Sequence, residues 1–334
     1  MTGQRPDPLA RAHDAQRAIG GVDDAWRLCL AIAARRRRGL PPSPGAHVRG
    51  DGLANAAGAT CDARLRWRLN GEWTEAALEL FELYAPLLAL RPGERFACAH
   101  LGQSIDGRIA TANGHSMGLS GAQNLLHLHR LRALSDAIVI GSGTALADDP
   151  RLTTRLAPGP NPVRVVLDGR GRIRPGLRVC SDGQARTLVV GPRRIATGSP
   201  DAGGGGADAG GGRACEGGSG YKGGGACTCE SIGRAQRIAL DGPSPQVAPT
   251  AVLDALADRG LPVVFVEGGG TTVSRFLEHH ALDRLQITVS PLLLGSGRPA
   301  LSLPSIDRIS DGLRPPARRF ALGDDLLWEF VLRA

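Results

Sequence analysis

Lysine is almost absent from this chain of 334 residues, because Lys222 is the only lysine among its 40 basic residues. A P-loop needs Gly-Lys-Ser/Thr to reach the terminal phosphates of a nucleotide, and Lys222 is followed by Gly223. Walker-type nucleotide hydrolysis is therefore excluded. The net charge of +8 favours anionic small molecules as ligands, although a GC-rich genome is the simpler explanation of the arginine excess.

The chain also lacks the short motifs of metal and disulfide chemistry. It contains no C-x-x-C and no H-E-x-x-H pattern. Its seven cysteines are scattered and odd in number, which indicates reduced thiols in a cytoplasmic protein. Cys227 and Cys229 stand close together without a second pair or a nearby histidine, so we expect no metal there or elsewhere.

Long apolar runs are missing as well. No segment reaches ~18 uninterrupted apolar residues, so we expect no membrane span. Asp7, Asp14 and Asp23 precede any apolar stretch, and the N-terminus therefore does not have the layout of a signal peptide.

Residues 1–92, here called the N-terminal extension, differ in pattern from the remainder. Asp23 and Asp24 predict the start of a helix that ends in the arginines at 35–38, a charge order that suits the helix dipole. The arginine run is typical of a solvated helix end, and a nucleic-acid patch is the alternative. Residues 41–60 are predicted to be a linker.

A second helix is predicted in the extension, with Thr74 as its cap. We see no catalytic motif in the extension. A glycine-rich tract at 199–233 cannot bury enough apolar surface to offset its ordering entropy, and we expect it to be a disordered loop.

From Phe96 onward, strand and helix patterns alternate, which favours an α/β fold. "SGAQNLLHLHRLRALS" predicts a helix with Ser120 as its cap and Gln123 completing a capping box. Helices are also predicted at 251–258 and 271–279. The predicted strands are "FACAHL", "DAIVIG", "PVRVVLD", "RTLVVG", "RIAL", "PVVFVEGGG", "LDRLQITVSPLLLG" and, as a sheet edge, "LLWEFVL".

Glycines or acids follow three of the predicted strands. They are the run at 141–144, Asp168 with Gly169, and Glu267 with the three glycines after it. Ligands of open α/β sheets collect at the carboxyl ends of strands, and glycines there allow backbone N–H groups to approach phosphate. The series indicates a ligand of nucleotide size. The Rossmann spacing G-x-G-x-x-G fails, because Val273 and Leu146 stand where its last glycine belongs.

Other polar stretches allow two interpretations. "SIDGRIATANGHS" is either a turn or a substrate loop that offers Asp106, Arg108 and Ser116. "TALADDPRLTTR" contains a possible turn or cap at 148–150, and Arg151 and Arg155 beside it would suit a phosphate. His100, in an apolar strand, is expected to be a core residue with its hydrogen bonds satisfied.

Taken in order, "SIDGRIAT", "HRLRALSDAIVIGSGTALADDPRLTTR", "PVRVVLD", "VFVEGGGTTVSRFLE" and "LLLGSG" resemble the reductase domain of the bifunctional riboflavin-biosynthesis deaminase–reductase. The resemblance covers about residue 95 to the C-terminus, so residues 93–334 are the predicted reductase domain. It implies a dihydrofolate-reductase-like three-layer α/β/α sandwich with a mixed sheet, beside a mainly helical extension. It also implies a homodimer, NADPH as hydride donor, and a phosphoribosyl-pyrimidine as substrate.

The resemblance further implies roles for particular residues. The cofactor residues would be Gly102, Thr144, Asp148, Gly169, Gly269, Gly270, Thr271 and Arg275. The substrate residues would be Ser116, Arg132, Leu152, Arg155 and Glu267. Asp106 and Arg108 are the catalytic candidates, although hydride transfer belongs to the cofactor and asks mainly for positioning.

Two departures from the family pattern matter. Gly118 stands where the family usually has tryptophan, which leaves the substrate open. The zinc motifs H-x-E and P-C-x-x-C of the deaminase half are missing from the chain, so we expect no deamination by it.

Three hypotheses follow. The first is reduction of the ribosyl group of 5-amino-6-(5-phosphoribosylamino)uracil to ribityl in riboflavin biosynthesis. The second is a related NADPH-dependent reductase that acts on another pyrimidine, a pteridine or a folate. The third, motivated by the basic balance and the arginine run, is a nucleotide- or nucleic-acid-binding module without turnover. We expect a cytoplasmic enzyme with no nucleic-acid or membrane partner.

Overall fold

A mixed sheet of ten strands forms the centre of the part of the protein that the computed structural model describes, residues 19–49, 57–193, 231–241 and 247–333. With elements numbered in chain order, the strands lie side by side as β14 (Ala317–Leu322), β15 (Asp325–Val331), β12 (Arg284–Ser290), β4 (Phe96–Ser104), β11 (Val263–Gly268), β6 (Ala137–Gly141), β7 (Val163–Leu167), β8 (Thr187–Pro192), β10 (Ala235–Leu240) and β9 (Ser231–Ile232). From β12 to β10 the strands are parallel, and β14, β15 and β9 pair antiparallel.

Both faces of the sheet are covered, which explains why its central strands are continuously apolar. In β11, Val263 and Phe265 join a core on one face, while Val264 and Val266 join a second core on the other. The first core contains residues of the helices α1 (Val22–Arg37), α2 (Glu75–Leu88) and α3 (Ala122–Leu134), and the second contains residues of α6 (Pro249–Ala257) and α7 (Gly270–Glu278). The predicted three-layer α/β/α arrangement is confirmed.

Two short helices and a ribbon complete the part of the structure that follows the extension. Helix α4 (Ser142–Asp148) follows β6, and α5 (Arg178–Ser181) precedes β8. Strand β5 (Arg108–Thr111) pairs antiparallel with β13 (Gly297–Pro299) in a separate two-stranded ribbon. A 3₁₀ turn spans Ile309–Asp311.

The N-terminal extension contains the two predicted helices, and the Thr74 hydroxyl accepts a hydrogen bond from the Ala77 N–H as predicted. The linker prediction for 41–60 is wrong in its described part. Strands β1 (His47–Arg49), β2 (Gly58–Cys61) and β3 (Trp67–Asn70) form an antiparallel three-stranded sheet there. Apolar side chains such as Ala59 and Trp67 are buried in this sheet, which a short and irregular sequence pattern did not reveal.

The prediction of a solvated helix end holds only in part. Arg37 and Arg38 are exposed, but Arg36 and Arg37 both donate hydrogen bonds to the buried carboxylate of Asp136. The side chain of Arg36 is only 8% exposed. The partner lies about a hundred positions further along the chain, beyond the reach of local pattern reading.

Three smaller predictions are also corrected. Helix α3 starts after Gly121 rather than Ser120, and the N–H of Gly121 is bonded through a tertiary contact: the Asp325 carboxylate accepts from it at 2.8 Å. "LLWEFVL" is not the sheet edge, because β14 lies outside β15. Of the glycine-rich tract, 199–230 lies outside the described residues, whereas Ser231–Ile232 belongs to the sheet. Within the described residues, no helix is long and apolar enough to cross a membrane.

Candidate functional site

A cleft of about 630 Å³ opens where β6, β7 and β11 end. This volume lies within the ~300–1,000 Å³ range of ligand sites in proteins. The cleft is lined by segments at the ends of these strands, by the N-terminus of α7 and by the β13 ribbon. Its lining residues include Gly141, Ser142, Gly143, Thr144, Gly169, Arg170, Arg172, Gly269, Gly270, Thr271, Thr272, Arg275 and Arg298. Six of the eight predicted cofactor residues are in this set.

The glycines of the cleft are required by close approach of neighbouring segments. A Cβ on Gly269 would lie 2.8 Å from the Thr144 hydroxyl oxygen, and φ at Gly269 is +34°. A Cβ on Gly270 would lie 2.4 Å from the Ala300 carbonyl oxygen. Gly269, Gly270 and Thr271 place the start of α7 in the lining of the cleft, where a helix N-terminus favours negative charge.

Four arginines make the cleft positive. Arg170, Arg172 and Arg298 are exposed, and Arg275 is half-buried. Arg172 donates to the Ser142 hydroxyl at 3.0 Å, and Arg275 donates to the Val247 carbonyl at 3.2 Å. Of the described residues that line the cleft, none is acidic. The arrangement therefore suits a ligand with more than one anionic group.

The carboxylate of Asp168 turns away from the cleft although it follows β7 directly. It is buried, and it accepts hydrogen bonds from the N–H groups of Arg172 and Ile173, both at 2.9 Å. An acid near the end of an equivalent strand binds the ribose 2′-hydroxyl in NAD-dependent Rossmann enzymes. Here the acid instead shapes the turn that presents Arg170 and Arg172.

On the other side of β11, Glu267 pairs with Arg132 from α3. The Nε–H of Arg132 donates to Oε2 of Glu267 at 2.6 Å, and an Nη2–H donates to Oε1. The side chains are 9% and 15% exposed. A third donor, on Nη1 of Arg132, reaches the Thr153 carbonyl at 2.9 Å. Such bidentate geometry fixes both groups more firmly than a single contact would.

Arg155 lies close to this pair and to further positive charge. Burial lowers the pKa of its guanidinium, and the nearby charges of Arg132 and Arg151 lower it further, while Glu267 opposes them. Arg155 thus lies near two further arginines and one carboxylate, and this excess of positive charge suits an anion. Leu152, buried in the same loop, has φ of +54°, an uncommon backbone conformation for a leucine.

His129 fixes the backbone of this loop. Its Nδ1 accepts a hydrogen bond from the Arg155 N–H at 2.7 Å. Burial first, and then Arg132 and Arg155, lower the pKa of His129 to about 4. The ring is therefore neutral at physiological pH, as an acceptor role at Nδ1 requires. Sequence reasoning gave His129 no role.

The remaining predicted site residues lie outside the cleft lining. Asp106 accepts from the Ser104 hydroxyl and from the N–H groups of Leu294 and Gly295, and the first of these bonds does most to lower its pKa. Arg108 donates to the Gly295 carbonyl at 3.1 Å. Both side chains thus hold the loop before β13, and a catalytic role for either stays a prediction.

Gly102, Asp148 and Ser116 also stay predictions. Gly102, on β4, packs under the Ser120 hydroxyl, which would lie 2.5 Å from a Cβ there. Asp148 ends α4; burial raises the pKa of its carboxyl group, and Arg298 nearby opposes that rise. Ser116 is exposed in the loop that leads to α3.

Sequence reasoning did not select Arg170, Arg172 or Arg298. The first two follow a strand end directly in "LDGRGR". Basic side chains at such a position are candidates for binding phosphate, so this local signal could have identified them. Arg298 has no such local signal. Its place depends on the pairing of β13 with β5, in which Arg298 lies opposite Ala110.

His100 is a core residue with satisfied hydrogen bonds, as expected. It is 2% exposed, and its Nε2 lies 3.0 Å from both Asn124 Oδ1 and Thr288 Oγ1.

Comparison with known proteins agrees with this architecture. The model of the RibD C-terminal domain matches residues 95–314. The 2,5-diamino-6-ribosylamino-4(3H)-pyrimidinone 5′-phosphate reductase of Methanothermobacter thermautotrophicus is 31% identical over 242 residues, which are 69% of this chain and 94% of that protein. The riboflavin biosynthesis protein RibD of Mycobacterium tuberculosis is 33% identical over 235 residues, and the match covers 69% of this chain but only 52% of that protein.

A solved structure has the same fold. The diaminohydroxyphosphoribosylaminopyrimidine deaminase/5-amino-6-(5-phosphoribosylamino)uracil reductase of Thermotoga maritima superposes with a TM-score of 0.52 at 23% identity, over 78% of this chain and 64% of that chain. This similarity supports the fold assignment alone. Since the family model matches more than half of its length, the chain belongs to the RibD C-terminal domain family.

Proposed function

We propose that the protein uses NADPH to reduce the ribosyl group of 5-amino-6-(5-phosphoribosylamino)uracil to ribityl. The net change opens the C1′–O4′ bond, adds a hydride from NADPH to C1′ and adds a proton to O4′, with NADP⁺ as the other product. The protein contributes binding, orientation and exclusion of water, because the hydride chemistry belongs to the cofactor.

One observation carries the proposal: two different environments meet at the end of β11. Glu267 pairs with Arg132 on one side, and two residues later Gly269 lines the arginine-rich cleft. A substrate held at Glu267 and a cofactor held at the glycines would be neighbours. Adjacent sites convert a bimolecular reaction into an effectively unimolecular one.

The charge of the cleft favours NADPH over NADH. Arg170, Arg172 and Arg298 offer exposed guanidinium groups for the pyrophosphate and the 2′-phosphate. Asp168 does not oppose them, because its carboxylate is turned inward to the Arg172 and Ile173 N–H groups. Gly269, Gly270 and Thr271 would place the start of α7 against a phosphate group.

The positive cluster beside Glu267 suits the substrate phosphate. Arg132 and Arg151 both lie close enough to Arg155 for their charges to act on it. In this assignment Glu267 accepts hydrogen bonds from the substrate, and Arg155 binds its phosphate. Arg132 orients Glu267.

The direct test incubates purified protein with NADPH and the deaminated pyrimidine. Loss of NADPH absorbance together with a ribityl product in mass spectrometry is the expected result. A folded protein that binds NADPH without forming that product would refute the assigned substrate.

A second substrate has a specific observation in its favour. The chain spans 94% of an archaeal relative named for the 2,5-diamino-pyrimidinone phosphate, which still carries the 2-amino group. The same assay with that compound compares kcat/KM for the two substrates, and the larger value identifies the preferred one.

A wider substrate range is the remaining alternative. Gly118 has φ of +80°, and nothing lies within 4 Å of the position of a Cβ there. Open space at this position would accommodate another pyrimidine, a pteridine or a folate, and these belong in the same substrate panel. The nucleic-acid hypothesis has lost part of its motivation, because Arg36 and Arg37 are bound to Asp136.

We also assign the protein to the cytoplasm as a homodimer. The cysteines of the described residues, Cys29, Cys61, Cys98 and Cys180, are free thiols and buried, in keeping with a reducing compartment. Leu303, Ile306, Ile309 and Leu313 expose apolar side chains within one short segment, which a second copy would cover. Light scattering should give twice the mass of one chain.

A further inference from the structure

The N-terminal extension contacts both elements that carry the substrate-side residues. These elements are helix α3, which bears Arg132, and the loop at 151–160, which bears Arg155. Three separate contacts join α1 of the extension to them.

The first contact is a hydrogen bond from the indole of Trp26. Its Nε1–H donates to the Pro158 carbonyl at 3.1 Å, and the side chain is only 3% exposed. The ring is fixed on two sides, by an edge-on contact with Tyr84 and by the guanidinium of Arg130, which lies 5.5 Å from the ring centroid. A donor held this firmly sets the position of the Pro158 carbonyl.

The second contact packs the loop at 151–160 between the helices α1 and α3. A Cβ on Gly159 would lie 2.5 Å from Cβ of Ala133 on α3 and 3.1 Å from Cδ2 of Leu30 on α1. The φ angle there is +141°, which glycine adopts without strain. The loop is therefore closely packed against both helices at a point four residues from Arg155.

The third contact joins the end of α1 to the end of α3. Arg37 donates to the carbonyls of Ala133 and Ser135, and Arg36 donates to that of Leu134. Asp136, which pairs with both arginines, also accepts from the Val263 N–H at 3.0 Å. Val263 begins β11, the strand that ends at Glu267.

The loop and helix held by these contacts also carry the hydrogen bonds of Arg132 and Arg155. The Thr153 carbonyl accepts from Arg132, and Nδ1 of His129 accepts from the Arg155 N–H. The loop is thus held at 153 and 155 by α3 and at 158 by Trp26. Without the indole bond, one of its fixed points is lost.

We infer that Trp26 is a positioning residue for substrate binding: through Pro158 it sets the place of Arg155, so the extension completes the substrate side of the site. The inference rests on the proposed function, in which Arg155 binds the substrate phosphate. The described residues that line the cofactor cleft include none from the extension, so the effect is confined to the substrate.

The test compares two tryptophan-to-phenylalanine variants. Trp26→Phe keeps a buried aromatic ring and removes the N–H bonded to Pro158. Trp67→Phe is the matched control: Trp67 is 4% exposed, also lies in the extension, and its Nε1–H has no hydrogen-bond partner among the described residues. KM for the phosphoribosyl-pyrimidine, kcat, the Kd of NADPH and the melting temperature are measured for both variants and for the wild-type enzyme.

The expected result is a KM for the pyrimidine about three- to tenfold higher in Trp26→Phe, the scale of one hydrogen bond. The Kd of NADPH should stay within about twofold of wild type, and Trp67→Phe should match wild type in both constants. An unchanged KM in Trp26→Phe overturns the inference, as does a parallel loss of NADPH affinity. Failure of the proposed function is recognised separately, because the wild-type enzyme would then form no ribityl product.

Discussion

Arg132 and Glu267 stand 135 residues apart in sequence and form a bidentate ion pair at the end of β11. The Glu267 side chain is 15% exposed on the side that we assign to the substrate, while the following glycines line the cleft that we assign to the cofactor. Opposite sides of one strand end therefore have different expected ligands, and substitutions can separate them.

Glu267→Gln should weaken substrate binding and spare the cofactor. The amide keeps the shape of the carboxylate but loses the charge that Arg132 and the substrate donors require. We expect KM for the pyrimidine to rise by about tenfold or more, equivalent to ~1.4 kcal/mol, with the Kd of NADPH within about twofold. Steady-state kinetics and calorimetric titration with NADPH measure the two effects. An equal loss of both affinities would show that the assignment of Glu267 to the substrate is wrong.

Gly269→Ala should have the opposite pattern. A Cβ there meets the Thr144 hydroxyl at 2.8 Å in a backbone conformation with φ of +34°, so the loop must shift. The strain is about 1–3 kcal/mol, and we expect most of it to be lost from NADPH affinity. Gly260→Ala is the matched control, because its φ is +73° and no atom lies within 4 Å of the added Cβ. The NADPH Kd of the control should equal that of wild type.

Arg170→Gln should lower affinity for NADPH more than for NADH. An exposed guanidinium at the end of β7 can bind the extra 2′-phosphate, and a hydrogen bond to a charged group contributes about 1.5–3 kcal/mol. Arg174→Gln is the control, since Arg174 is exposed in the same turn and does not line the cleft. Fluorescence titration with both cofactors measures the ratio. Equal losses for the two cofactors would place Arg170 away from the 2′-phosphate.

The sequence predicted which segments form the site better than it predicted which side chains pair with one another there. Strand ends with glycine or acid are local signals, and Thr144, Gly169 and Gly269 duly line one cleft. The pairing of Arg132 with Glu267 and that of Arg36 with Asp136 depend on residues a hundred or more positions apart. No local pattern encodes such contacts, because they follow from the order of strands in the sheet.

The difference between local signals and distant contacts also explains the wrong predictions. Ser120 has the right residue type for a cap, but Asp325, from the start of β15, takes over that end of the helix. Residues 41–60 are rich in proline and glycine, and they still contribute strands because β3 supplies a partner. Tertiary context overrides local propensity in both places.

Three buried histidines should make stability fall as pH decreases from about 6.5. Burial lowers the pKa of His100 to about 3 and the pKa values of His127 and His129 to about 4. The unfolded chain takes up these protons near pH 6.5 while the folded protein does not, so each histidine lowers the free energy of unfolding by up to ~1.4 kcal/mol per pH unit below that point.

Chemical denaturation at pH 7, 6 and 5 tests this slope. His127→Gln keeps hydrogen-bonding capacity between Tyr84 and Gln286 and removes one titrating group. The slope of its free energy of unfolding against pH should be smaller than that of wild type by the equivalent of about one bound proton. An identical slope would mean that His127 is protonated in the folded state as readily as in the unfolded chain.

Asp136→Asn should destabilise the whole protein, because it leaves the guanidinium of Arg36 buried without a countercharge. The side chains of Asp136 and Arg36 are 5% and 8% exposed, and breaking a buried pair costs about 3–5 kcal/mol. Asp241→Asn is the control: the pair of Asp241 with Arg193 is 85% and 58% exposed, and its loss should cost no more than ~1 kcal/mol. The chain has four tryptophans, so denaturation is followed by fluorescence in two backgrounds: one keeps only Trp26, in α1, and the other keeps only Trp328, in β15. A single transition shifted for both signals would mean that extension and sheet unfold together, as their shared core requires. Loss of the α1 signal alone would mean that Asp136 holds the extension without supporting the sheet.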